Sequence, residues 1–175
     1  MVAILVALLL APPAAADVID RIMAVVGAQP ITLSEVAAAR QFQLVDVPPG
    51  TADPRGYALD RLIDRTLMLT EVDRFQPPEP DPAEVTARVD RFRERAGSEA
   101  AFAKALAVTG TTADQLRRFV RDSLRMDTYV NQRFGAIIDP AERTRAIAAW
   151  AADLRRRAQI TVLYHPPQST RESSR

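Results

Sequence analysis

The sequence predicts a mainly α-helical fold of about six helices with a small β element, on three observations. Apolar residues recur at helical spacing in six segments through the middle of the chain. Two capping boxes, Thr32-Leu33-Ser34-Glu35 and Thr112-Ala113-Asp114-Gln115, mark helix starts, because each side chain of the pair satisfies an orphan amide of the first turn. β-Branched runs occur only near the two ends, VIDRIMAVV at 18–26 and ITVLY at 160–164. Isolated edge strands do not persist in a helical protein unless they pair. The two runs are therefore expected to lie side by side and tie the ends of the helical body together.

The chain opens on an unbroken apolar run, Met1 to Leu10, followed by Pro12-Pro13 and Ala14-Ala15-Ala16. An apolar core of about 7–15 residues before an A-x-A site is the pattern of a secretory leader, here cut after Ala16. A spanning helix needs about 20 apolar residues, and the proline pair interrupts this one. No Lys or Arg precedes the run, so a start codon upstream would supply the missing basic segment; an uncleaved anchor is the alternative. The expected organisation is a leader at 1–16, one domain at 17–165 and a disordered polar tail at 166–175. The leader predicts export of the mature protein, with no stable insertion in a membrane expected once it is removed.

The elements come in order along the chain. After the first strand, Gly27-Ala28-Gln29-Pro30 is turn chemistry and Ile31 a short return, which makes a hairpin. The first capping box opens a helix through Val36, Ala39, Phe42 and Gln43, stopping before Pro48-Pro49-Gly50. A second helix runs from Pro54 to Phe75. Its apolar residues spread over more than one face, as in a central, buried helix. Four prolines between Gln76 and Pro82 break the chain's direction. A third helix spans 83–96 with Val85, Val89 and Phe92 in line, and a short fourth ends at Gly110 with Phe102 and Leu106 inward. The longest runs from the second capping box to Phe134, with Leu116, Phe119, Val120, Met126 and Val130 in its stripe. A sixth starts after Asp139-Pro140, carries Trp150 and Leu154, and ends in Arg155-Arg156-Arg157, where cations complement the helix dipole.

Composition narrows the function classes. The chain has 175 residues, 47% apolar and 26% charged, enough for one domain with its own core. A net charge of +1 leaves no electrostatic footprint for nucleic acid. Lys104 is the only lysine, a skew that accompanies an Arg- and Ala-rich composition. The absence of cysteine removes disulfides, thiolate nucleophiles and Cys-ligated zinc. The one histidine, His165, stands where the tail begins, without the orienting partner a catalytic base requires. Asp60 and Asp64, one helical turn apart and flanked by Arg61 and Arg65, read as a solvated salt-bridged face rather than an acid–base dyad. The expectation is no catalytic residue, no metal site and no cofactor. Adaptable methionines and aromatics are the residues expected to face a bound chain: Met23, Phe42, Met68, Phe75, Met126 and Phe134.

The first strand, Val18-Ile19-Asp20-Arg21-Ile22-Met23-Ala24-Val25-Val26, and the turn-to-helix segment Gln29-Pro30-Ile31-Thr32-Leu33-Ser34-Glu35 resemble the opening of the SurA family of periplasmic chaperones. Leu62-Ile63-Asp64-Arg65-Thr66-Leu67-Met68-Leu69 resembles that family's second-helix segment. Gly110-Thr111-Thr112 with Leu116-Arg117-Arg118-Phe119-Val120-Arg121 resembles a later one. Trp150, Leu154 to Ala158 and Ile160 resemble its closing helix and strand, so the resemblance runs over most of 18–164. In that family, parvulin-type prolyl isomerase domains are inserted before the closing helix. Here only Gly135 to Asp139 stand at that point, against the roughly hundred residues a small domain needs.

The resemblance implies the chaperone core alone: an ATP-independent holdase for unfolded outer-membrane β-barrel precursors, with no isomerase activity. Alternatives are an adaptor for a single partner protein and, less favoured, a prolyl isomerase. Exchange of terminal strands between two copies is compatible with a homodimer.

Overall fold

The computed structural model describes residues 20–166. The expected leader, the first residues of the expected strand and tail residues 167–175 lie outside the described residues. Two strands, β1 (Ile22–Val26) and β2 (Gln29–Thr32), precede the helices α1 (Leu33–Gln41), α2 (Pro54–Phe75), α3 (Pro82–Ala96), α4 (Glu99–Thr109), α5 (Ala113–Phe134) and α6 (Pro140–Arg157). Strand β3 (Ile160–Val162) closes the order. Among the described residues no helix is long and apolar enough to cross a membrane.

The strands form one antiparallel sheet in the order β2-β1-β3. The first and last strands pair as expected, Ala24 opposite Val162 and Val26 opposite Ile160. Gly27, at φ +60°, takes the first position of a two-residue hairpin turn, where left-handed backbone suits glycine. Its N–H donates to the Gln159 carbonyl at 2.8 Å, extending the link to β3. Tyr164 completes the tie. Its N–H donates to the Met23 carbonyl at 3.0 Å, and its hydroxyl donates to Asp53 Oδ1 at 3.1 Å. The same Asp53 caps α2 by accepting from the Gly56 N–H at 2.9 Å.

Both capping boxes form. α1 ends earlier than the prolines suggest, at Gln41, because Ala39 and Arg40 carbonyls accept from Leu44 and Gln43 in a Schellman motif. Gln43, not a glycine, holds the left-handed position at φ +51°.

α2 is the central helix, burying Leu59, Leu62, Ile63, Leu67 and Val72. Arg65 meets Phe119 and Ser123, Asp73 meets Arg125, and Phe75 meets Tyr129. The contacts rise together, so α2 and α5 run in the same direction. α6 runs antiparallel to α2, with Arg155 beside Asp60 and Trp150 stacked on Tyr129 at 5.6 Å. The main core joins the sheet to α1, α2, α5 and α6. A second cluster, Ala38, Phe42, Phe102 and Leu116, joins α1, α4 and α5. Full burial of Phe102 and Leu116 contributes about 1.5–3 kcal/mol each.

The expected solvated face at Asp60 and Asp64 needs correction. Asp64 is buried and is held by Arg155 Nε of α6 and by Arg61 at 2.8 Å. Arg155 also donates to Asp60 Oδ1 at 2.7 Å. Arg65 pairs with neither aspartate and turns toward α5. Of the triple arginine, residue 155 is a clamp between helices, while Arg156 and Arg157 pair with Asp153 at the surface.

Candidate binding cleft

Between the β2 edge, α1, α2 and the first half of α5 lies an open cleft of about 320 Å³. Its floor is apolar: Ile31 from the hairpin, Leu44 after α1, Leu62 and Leu69 from α2, Leu116 and Phe119 from α5. Glu35, Arg65, Arg118 and Asp122 add charge to its lining. The local folding rules place these groups. The hairpin turn brings Ile31 and Pro30 over α1, the first capping box fixes Glu35, and the second launches α5 with Leu116 and Phe119 inward.

Arg65 is the electrostatic centre of the cleft. Its guanidinium lies 3.7 Å from the Phe119 ring centroid and donates to the Phe119 carbonyl at 2.9 Å and to Ser123 Oγ at 3.3 Å. Its Nε is buried with no hydrogen-bond partner. Burial lowers its pKa to about 10 against the pull of Asp122 and Glu35, so it is a cation at neutral pH. A cation stacked on an aromatic ring is a favourable contact, and it keeps Phe119 fixed in the floor.

The six residues expected to face a bound chain are scattered. Met23, Phe42 and Phe134 are buried in the clusters described above. Met68 and Met126 are half-buried against the main core. Phe75, 62% exposed, ends α2 with its ring 5.1 Å from Tyr129. None of the six lines the cleft, and the structure brings no two of them into one surface there. The sequence carried a signal for one residue that does. Leu69 lies outside the main apolar line of α2, an aliphatic that a single buried face does not require, whereas Phe119 belongs to the apolar stripe of its helix and carried no separate signal.

Local hydrogen bonds hold the polar groups of the cleft wall. The Thr66 hydroxyl donates to the Leu62 carbonyl at 2.9 Å. The Glu35 carboxylate accepts from the Thr32 N–H at 2.8 Å. His165 is exposed, its Nδ1 3.1 Å from the Leu163 carbonyl. Among the described residues no three His, Asp or Glu side chains gather as metal ligands.

No protein-family model matches this chain. No curated protein matches it either.

Proposed function

We propose that the protein is an ATP-independent periplasmic holdase that binds extended segments of unfolded polypeptides, with outer-membrane β-barrel precursors as its clients. The observation that carries this reading is the open cleft with an apolar floor and a charged rim. An apolar floor takes side chains of a chain that has not buried them, and the rim accommodates its polar backbone and charges. β2, the edge strand beside the cleft, carries Pro30, which has no N–H to offer an added strand. Clients are therefore held by side chains, a weak and sequence-tolerant mode. Binding an unfolded chain withdraws it from aggregation by mass action, with no nucleotide. The leader-like residues 1–16 and the resemblance of the strand-to-helix opening support the exported location and client class.

The test is dilution of an unfolded outer-membrane β-barrel protein into buffer, monitored by light scattering. The protein is expected to suppress scattering at near-equal molar ratio without nucleotide. Leu69→Ser, in the cleft, is expected to weaken suppression several-fold, while Phe75→Ser, outside it, leaves suppression intact. Scattering equal to that with an inert control protein rejects the holdase and makes the single-partner adaptor the working idea.

A further inference from the structure

A second recess, of about 270 Å³, lies on the far side of Leu44 and Phe119, which line both it and the cleft. Arg88, Arg91 and Arg95 line its α3 wall. At spacings of three and four residues they share one helix face. Across from them α5 contributes Phe119, Val120, Leu124 and Asp127.

We propose that this recess binds a carboxylate carried by the polypeptide held in the cleft, so that clients with an acidic group beside an apolar residue are preferred. The proposal rests on the holdase reading and gives it a specificity.

Three observations support it. First, none of the three arginines has a carboxylate within ion-pair distance among the described residues, whereas their neighbours do. Arg93 on the same helix pairs with Asp90 at 2.5 Å, and Arg121 and Arg125 of α5 pair with Glu79 at 2.7 and 3.5 Å. Charge pairing stops where the recess begins. Second, the one acidic residue in the lining is not in contact with their guanidinium groups. Asp127 makes no ion pair among the described residues, and burial raises its carboxyl above the ordinary range despite the pull of Arg88. Third, the floor is apolar and aromatic. Arg95 is stacked on Phe92, 4.5 Å from the ring centroid, and its fork is held over a ring rather than loose in water. Guanidinium forks match carboxylates with two parallel hydrogen bonds. A site with that rim and that floor fits an anion attached to an apolar body, and because Leu44 and Phe119 line the cleft as well, a peptide held there is the source nearest to it.

The test uses fluorescent dodecapeptides of alternating apolar and polar residues that differ at one central position, Glu or Gln. A third peptide carries Gln at that position and a free C-terminal carboxylate in place of the amide, which separates side-chain from terminal carboxylates. Binding is read by anisotropy. The Glu peptide is expected to bind about tenfold more tightly than the Gln peptide, the size of one charge-assisted hydrogen bond. The Arg88→Gln/Arg91→Gln variant should abolish that preference, Asp127→Asn should widen it, and Arg145→Gln on α6 should leave it unchanged.

Equal affinity of the wild type for the Glu, Gln and free-terminus peptides overturns the proposal. So does a preference that survives the double variant. If no peptide binds, the cleft reading fails, and the recess is judged separately with N-acetylphenylalanine and its amide. Shifts of the Arg88, Arg91 and Arg95 Nε–H resonances with the acid, and not with the amide, sustain the carboxylate site. Their absence overturns it.

Discussion

At the scale of single residues, the arginines decide more than the composition suggests. Arg155 reaches from α6 to two aspartates on α2 and to the Asp60 carbonyl at 2.8 Å, while Arg61 holds the other oxygen of Asp64. Helical spacing makes Asp60, Arg61 and Asp64 neighbours, so the pairing of Arg61 was legible, whereas Arg65, equally well spaced, turns to α5 instead. A partner 91 residues away in sequence was not legible. Breaking a fully buried pair costs about 3–5 kcal/mol. Here Arg155 keeps 32% of its side chain in water and Arg61 remains, so Arg155→Ala is expected to cost about 1–3 kcal/mol. Thermal unfolding checks this: a fall of roughly 2–4 °C per kcal/mol is expected for a chain of this length. Asp64→Leu/Arg155→Met should regain part of the loss, because no buried charge is left unpaired. A melt unchanged in Arg155→Ala means the clamp contributes nothing.

At the scale of elements, the sequence was most legible where local chemistry sets the boundary. Both capping boxes and the proline-marked starts of α2 and α6 fell where read. The end of α1 did not, because its Schellman turn uses Gln43 where sequence rules look for glycine, and Phe42 is drawn into edge contacts with Phe92 and Phe102, each at 6.0 Å. Nor did the cleft, since it depends on how two helices distant in sequence lie together. The start of α1 carries a pH dependence. Asp20 accepts from the Ser34 N–H at 3.1 Å, at the second helical residue, and from the Ser34 hydroxyl. Burial acts against its charge, yet hydrogen bonds from Ser34 and Thr32 hold its carboxyl below the ordinary carboxylate range. A carboxyl depressed in the folded state adds stability that is complete above its unfolded pKa, about 4, and vanishes as pH falls through the folded value. Asp20→Ala should therefore melt lower than the wild type at pH 7, by about 0.5–1 kcal/mol for a solvent-screened capping contact. The two melting curves should converge as pH falls below the ordinary carboxylate range and the folded carboxyl takes up its proton. A gap that persists at acid pH points to a role for Asp20 other than its charge.

At the scale of the whole molecule, the three-stranded sheet ties both ends of the described chain into the main core, one of three buried clusters among the described residues. β1 pairs with β3 on one side and with β2 on the other, and β2 contributes Pro30 and Ile31 to the cleft. The last strand is therefore coupled to the binding surface through a single intervening strand. Tyr164 adds a second coupling, since its hydroxyl binds the aspartate that caps α2. Removing everything after Gln159 deletes the β3 ladder and the Tyr164–Asp53 bond together. At about 0.5–1.5 kcal/mol net for each hydrogen bond, the shortened chain is expected to lose about 3 kcal/mol. That corresponds to a melting temperature lower by roughly 6–12 °C. Tyr164→Phe, which removes one hydroxyl and keeps the strand, should lose only about 1 kcal/mol. Because β1 holds β2 in place, the shortened chain should also suppress client scattering less well at temperatures where it is still folded, whereas Tyr164→Phe should not. If the shortened chain melts with the wild type and protects clients equally well, the sheet only records where the ends happen to meet, and the cleft stands on α1, α2 and α5 alone.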